Sequence, residues 1–234
     1  MSVSEICTAL TQITTATITM QLLKRGIRRS HMRGPLPLMA GQTRIAGPAF
    51  TVRFIPGRED VSTLDSYAAR NSLRDAIEAM PEGAIAVIDA RGEMGAATIG
   101  DILALAMVKR GVAGFVSDGT VRDVEGVRAS GLPVWSAGPA APPPIGALYF
   151  ADWELPIGCG GVAVFPDDII VADEDGAVVI PAALAAEVAE DGAEQERFER
   201  FVLEEVRQDG RVKGRYPPDE ETLARYREWV KRQG

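Results

Sequence analysis

The stretch from residue 84 to residue 138 limits the possible folds more than any other part of the chain. "AIAVIDA" (84–90) is an unbroken apolar run of strand length, and "ILALAMVKR" (102–110) has helical spacing and stops at Gly111. "VAGFV" (112–116) reads as a second strand, "VEGVRAS" as a short helix closed by Gly131, and "PVWSAG" as a third strand. Strand, helix, strand, helix, strand with short connections requires parallel strands joined by right-handed crossovers. The expected fold class is therefore α/β, with helices layered on a sheet. Sheets of this kind collect ligands at the C-terminal ends of their strands. Two loops leave that rim, "RGEMGAATIGD" after the first strand and "SDGTVRD" after the second.

The flanking segments are read in the same way. Residues 4–25 are expected to form one helix stopped by Gly26, followed by a Gly/Pro-rich loop over 33–48. "FTVRF" alternates like a strand, and "LDSYAARNSLRDAIEAM" has helical spacing up to Pro81. "GPAAPPPIG" reads as a rigid surface connector, and "GGVAVFPDDIIVADEDGAVVIP" as a three-stranded meander turning at "PDD" and "DEDG". From Ala182 to about Gln208 the chain is charged and helical, and residues 219–232 form a last helix. Neither a long linker nor an internal repeat divides the chain, so a single domain over 1–234 is expected.

Composition removes several classes of function. With 25 basic and 33 acidic residues the net charge is −8, which opposes a general nucleic-acid surface. The basic stretches Lys24–Arg33 and Arg207–Lys213 are short and mixed, as solvated faces are. Cys7 and Cys159 have no metal-ligand spacing, so a disulfide framework is not expected and a reducing cytoplasm fits. No signal peptide and no apolar run of membrane-spanning length is expected. The single histidine, His31, excludes a His-rich zinc site and reads as a loop residue. A metal would have to be held by carboxylates and water, which favours Mg²⁺ or Mn²⁺. "GEMGAATIGD" lacks the Gly-Lys-Ser/Thr ending of a phosphate loop, and "GCGGVA" leads into a strand where a dinucleotide fingerprint must open a helix.

What remains is the rim. Gly100–Asp101 opens a helix, so the free amides of residues 100–103 suit a carboxylate. Taken singly, Asp101 is a helix cap, Asp118–Gly119 a turn and Arg122–Asp123 a loop ion pair. Taken together they offer backbone donors, an arginine and two aspartates to one crevice. A 2-oxo acid can chelate a hard cation through its carboxylate and keto oxygens, and an arginine beside it would stabilise an enolate.

Asp101, twenty intervening residues and then Arg122–Asp123 resemble the Asp-X20-Arg-Asp signature of the 4-hydroxy-4-methyl-2-oxoglutarate / 4-carboxy-4-hydroxy-2-oxoadipate aldolases. These are divalent-metal (class II) pyruvate aldolases that share a fold with the regulator of ribonuclease activity A. "TTATITMQLLKRG", "IAGPAFTVRF", "GEMGAATIGDIL", "GFVSDGTVRD" and "IGCGGVAVFPDDIIVADEDGAVVIP" extend the similarity through most of the chain. The resemblance implies a layered α/β/α sandwich like the swivelling phosphohistidine domain, with a C-terminal helical segment. It implies that the backbone of Gly100, Asp101, Ile102 and Leu103 binds the substrate carboxylate and that Arg122 contacts the keto oxygen. Asp123 would ligate Mg²⁺ or Mn²⁺, and Asp101 would hold metal-bound water and place the water that takes the substrate's hydroxyl proton. The oligomer would be a homotrimer or homohexamer. C-terminal helices from about residue 182 would reach a neighbouring subunit, with Glu196 or Glu199 completing its site.

The implied reaction is retro-aldol cleavage of a 4-hydroxy-2-oxo acid to pyruvate, with oxaloacetate decarboxylation through the same enolate. The alternatives are a non-catalytic protein that regulates a ribonuclease, which need not carry Asp101, and a related lyase on another 2-oxo acid. His31, Arg33 and Arg91 are candidates for a second substrate carboxylate, with solvated loop residues as the other reading.

Overall fold

The computed structural model describes residues 1–67 and 72–233. Helices α1 (Val3–Leu10) and α2 (Thr15–Lys24) replace the single helix expected over residues 4–25, and they lie at 115° to each other. The break falls in "TQIT". Thr11 closes α1, Ile13 is fully buried at the corner, and the Thr14 hydroxyl caps α2 by accepting from the Thr17 N–H.

Two short strands, β1 (His31–Met32) and β2 (Leu36–Pro37), precede β3 (Ile45–Pro56), which begins inside the segment expected to be a loop. β3 is long because it has different partners along its length. Its first residues pair antiparallel with a late hairpin, and its later ones pair parallel with the next strand. Gly47 is required there, since a Cβ would stand 2.5 Å from the Gly83 carbonyl oxygen. Helices α3 (Leu64–Tyr67) and α4 (Leu73–Ala79) cover part of the helix expected from Leu64 to Met80; residues 68–71 of that expectation lie outside the described residues.

The central alternation folds as read, with two short strands added within its loops. It runs β4 (Ile85–Asp89), β5 (Ala97–Ile99), α5 (Asp101–Lys109), β6 (Gly114–Ser117), β7 (Thr120–Val121), α6 (Val124–Ser130) and β8 (Val134–Ser136). β3, β4, β6 and β8 are parallel neighbours. Both faces are covered, which is why these strands read as continuous apolar runs. Phe50, Val52, Ile88 and Phe115 pack under α4, α5 and α6 with Ile77, Ala104, Met107 and Val127. Ile85, Val87 and Val116 point the other way, into a second cluster with Trp135, Cys159, Val164 and Ile170.

The chain continues through β9 (Gly138–Pro139), β10 (Leu148–Trp153), β11 (Ile157–Cys159), β12 (Val162–Val164), β13 (Ile169–Asp173) and β14 (Gly176–Ile180). The expected meander is in fact two hairpins in different sheets. β11–β12 stands alone, whereas β13–β14 joins β3 in a nine-stranded sheet. The "PDD" turn separates them: Asp167 is left-handed, and the Asp168 carboxylate accepts from the N–H groups of Phe165 and Ala182.

The large sheet curls so that β13 and β14 close over the second cluster. Their outer residues Val171, Val178 and Ile180 then pack against Leu10, Ile13, Ile18 and Leu22 of α1 and α2 and Val188 of α7 (Ala185–Asp209). The result is a mixed α/β fold: helices, a curled sheet, and helices again. α7 and α8 (Glu220–Gln233) form a C-terminal hairpin with its own small core of Phe198, Phe201, Tyr226 and Trp229. No single described helix is long and apolar enough to cross a membrane.

Candidate active site

Register brings the two rim loops together. β5, β7 and β9 form a small parallel ribbon at the C-terminal ends of β4 and β6, with Ile99 opposite Val121. The residues that follow those two positions, Gly100–Asp101 and Arg122–Asp123, must therefore emerge side by side. The Arg122 N–H donates to the Ile99 carbonyl at 2.9 Å. Thr98 and Thr120 lock the ribbon by donating their hydroxyls to the carbonyls of Thr120 and Ala96. Both strands are hidden in sequences that read as glycine loops, and two or three residues carry no periodicity to reveal them.

The cavity at this point, of about 240 Å³, is lined by Thr98, Ile99, Gly100, Asp101, Ile102, Leu103, Arg122, Asp123 and Pro144. All six residues singled out from the sequence are present. Gly100 is the N-cap of α5 with extended backbone angles, so Asp101 is the first helical residue and not the cap itself. The first-turn amides of α5 have no carbonyl one turn back to donate to. That of Ile102 is taken by Asp101 Oδ1 at 2.8 Å. Pro144 was expected on a surface connector. It is buried at the site instead, where the Ala97 N–H donates to the Pro142 carbonyl and ties the proline segment to the ribbon.

Arg122 Nε donates to Asp123 Oδ2 at 3.0 Å, with the two side chains 38% and 44% exposed. The loop ion pair therefore exists, yet it does not close the cavity. Asp123 itself is left-handed, with φ of 50°, an unusual conformation for a residue with a side chain and one that gathers at functional sites.

Among the described residues no three His, Cys, Asp or Glu side chains are grouped as a metal cluster. The cavity does offer two carboxylates, Asp101 and Asp123, and Asp123 Oδ2 is lodged where a Cβ on Gly100 would stand, 2.6 Å away. Such a donor set fits a hard cation that keeps most of its water and does not fit a zinc site of imidazoles and thiolates.

Asp118, read as a turn residue, is a buried strut. Its carboxylate accepts from Ala90 N–H at 2.8 Å and Gly160 N–H at 3.1 Å, tying together the ends of β4, β6 and β11. Burial pushes its carboxyl above the usual range. An Asp-Gly pair is locally a turn signal, and its partners lie far away in sequence. His31, Arg33 and Arg91 do not line the cavity. His31 Nε2 is 3.1 Å from the Asp175 carbonyl oxygen, and the Arg33 guanidinium lies against Gly161. The structure does not bring them to the site as carriers of a second carboxylate-binding position.

A family model described as RraA-like, Aldolase/RraA, matches residues 4–179. The chain belongs to the RraA-like family. "Putative 4-hydroxy-4-methyl-2-oxoglutarate aldolase" of Halalkalibacterium halodurans is 39% identical over 141 residues, covering 59% of this chain and 60% of that protein. Protein DlpA of Legionella pneumophila is 34% identical over 145 residues, 62% of this chain and 22% of its own length. The chain thus spans less than two thirds of either relative. Among solved structures, RraAS2 of Streptomyces coelicolor, described as an unusual member of the RNase ES inhibitor RraA protein family, is 33% identical with a TM-score of 0.76. It covers 84% of this chain and 94% of its own.

The family match ends before α7, so Glu196 and Glu199 lie beyond it. Glu196 is engaged within its own chain, accepting from the Thr14 N–H and hydroxyl, both at 2.8 Å. Burial raises its carboxyl, but the bonds from Thr14 and Thr17 and the attraction of Arg44 outweigh burial and hold it below the usual range. Glu199 accepts from Gln195 at 2.9 Å and faces a larger cavity of about 910 Å³ between α2, α7 and the turn at Tyr216–Pro218. Neither acid lines the rim cavity of its own chain.

Proposed function

We propose that this protein is a divalent-metal-dependent carbon–carbon lyase that cleaves a 4-hydroxy-2-oxo acid of the 4-hydroxy-4-methyl-2-oxoglutarate type and releases pyruvate. The observation that carries the reading is the convergence of Arg122, Asp123, Asp101 and the α5 amides on one cavity. The name of the Halalkalibacterium relative supports it.

The backbone of Gly100, Asp101 and Leu103 holds the substrate carboxylate, joined by the Ile102 amide where the substrate displaces Asp101 Oδ1 from it, and aided by the positive end of the helix dipole. Arg122 donates to the 2-oxo oxygen and stabilises the negative charge that gathers there as the C3–C4 bond breaks. Asp101 places the water that accepts the C4 hydroxyl proton, C4 becomes a carbonyl, and the electrons of the broken bond form pyruvate enolate, which is protonated at C3. Asp123 would hold Mg²⁺ or Mn²⁺ directly and Asp101 would hold its bound water; the metal supplies Lewis-acid polarisation of the 2-oxo acid when bound. Loss of CO₂ from oxaloacetate leaves the same enolate, so decarboxylation belongs to the proposal.

In this reading residues 1–234 work as one domain within a homotrimer or homohexamer, and an acid of a neighbour's C-terminal hairpin completes the site. Ile102 and Leu105, 79% and 47% exposed on α5 beside the cavity, support such packing. The unpaired thiols of Cys7 and Cys159 are consistent with a reducing cytoplasm. Purified protein with Mg²⁺ or Mn²⁺ is expected to release pyruvate from oxaloacetate or 4-hydroxy-4-methyl-2-oxoglutarate, and EDTA is expected to abolish release.

The similarity to RraAS2 favours one other reading, a non-catalytic regulator of a ribonuclease. That reading requires no metal-dependent turnover and a measurable complex with a ribonuclease.

A further inference from the structure

The two carboxylates of the cavity are seated reciprocally. Asp123, just ahead of α6, lies against Gly100 at the start of α5. Asp101, at the start of α5, lies against Gly126 within α6. A Cβ on Gly126 would stand 2.6 Å from Asp101 Cβ and 2.7 Å from its Oδ2, far inside the roughly 3.5–4.0 Å of a normal carbon contact. The nearest atom is the root of the aspartate side chain, so a rotamer change cannot relieve the collision. Asp101 Oδ1 is already bonded to the Ile102 N–H, which further restricts the carboxylate.

Gly126 is absent from the cavity lining and has no left-handed backbone to explain it. A glycine inside a helix is less stable than alanine, so its presence needs another reason. Clearance for Asp101 supplies that reason.

We propose that Gly126 is a positioning residue: by lacking a side chain it lets the first turn of α5 close onto α6, so that Asp101 enters the cavity shared with Asp123. The catalytic consequence rests on the lyase reading, whereas the geometry does not.

The test is a two-by-two set of variants, Gly126→Ala and Asp101→Gly alone and together. In the chain that keeps Asp101, Gly126→Ala is expected to lower Tm by about 5 °C, as overpacking does. In the Asp101→Gly chain the three atoms nearest to that Cβ are gone, and the same change is expected to raise Tm by about 2 °C through helix propensity. Equal shifts in the two backgrounds would overturn the proposal. If Gly126→Ala alone fails to fold, folding of the double variant supports the proposal and its failure overturns it.

For turnover, Gly126→Ala is expected to cost about 100-fold in kcat for pyruvate release, with KM little changed, as displacement of a reacting group does. Unchanged kcat would overturn the positioning role. A wild-type protein that releases no pyruvate from any 2-oxo acid would sink the lyase reading alone, because the Tm cycle still decides the clearance.

Discussion

Two of the places where arginines pair with carboxylates in this molecule, the C-terminal hairpin and the rim, are built differently. On the C-terminal hairpin, Arg215 and Arg225 share Glu205, Arg215 also grips Asp209, and Arg225 also reaches Glu221. The Arg215 hydrogen bond to Asp209, with that of the Arg211 N–H, pulls the Asp209 carboxyl down to about 2. Arg215 is only 15% exposed, and its donors are spent on carboxylates and carbonyls. At the rim, Arg122 makes one bond through Nε, and among the described residues neither terminal nitrogen has a hydrogen-bond partner. A saturated guanidinium holds structure together, whereas one with open donors over a cavity is available to a substrate.

The sharpest way to break this comparison is to truncate one arginine of each kind. Arg122→Ala is expected to lower kcat/KM for pyruvate release by about 1,000-fold, since it removes charge stabilisation at the reacting oxygen, while Tm changes little. Asp123→Ala is expected to cost as much and to remove the response to added Mn²⁺. Arg215→Ala should do the reverse, lowering Tm and leaving the turnover of folded protein within about twofold, because it breaks a buried-edge network. Matching losses of turnover from both arginines would show that the open donors have no special role.

The comparison also explains which parts of the molecule were legible in the sequence. β4, β6 and β8 were, because strands buried on both faces read as near-continuous apolar runs. Arg122–Asp123 and Asp101 were, because their spacing is a signature and each follows a strand. The α1–α2 corner was not, since Thr11, Gln12, Ile13 and Thr14 can all sit in a helix, and the burial of Ile13 that accompanies the turn is a tertiary contact. The ribbon of β5 and β7 was hidden among glycines. Pro144 and Asp118 owe their places to Ala97, Ala90 and Gly160, contacts made through tertiary structure that no local pattern announces.

A second pair of residues sharpens the contrast within one helix. Glu196 and Glu199 were equal candidates by sequence, and they differ in what already holds them. Glu196 is committed to the N-terminus of α2 through Thr14, while among the described residues Glu199 has a single bond, from a neighbouring glutamine side chain, and lines a cavity. If the hairpin serves a neighbour's site, Glu199→Gln is expected to lower kcat about 10- to 100-fold with Tm unchanged, as removal of a positioned acid does. Glu196→Gln is expected to leave kcat alone and cost about 1 kcal/mol of stability, the value of a weakened charged hydrogen bond to the capping Thr14. Denaturant unfolding beside the pyruvate assay separates them, and the reverse pattern would assign the acid to Glu196.

The smallest expected effect concerns pH and follows from the same bond. The Glu196 carboxyl in the folded chain lies below its ordinary value of 4.5. A group depressed in the folded state contributes stability that is fully present above its unfolded pKa and is lost as pH falls through the folded one. Wild type is therefore expected to exceed Glu196→Gln in stability by a constant margin above pH 4.5, and the margin should shrink below it. Other depressed carboxylates, Asp173 and Glu205 among them, make both proteins less stable in acid, so the difference between the two curves is the quantity to follow. A margin that persisted unchanged well into acid would mean that the Glu196 charge does not hold Thr14 at the start of α2, and that packing alone holds α7 against it.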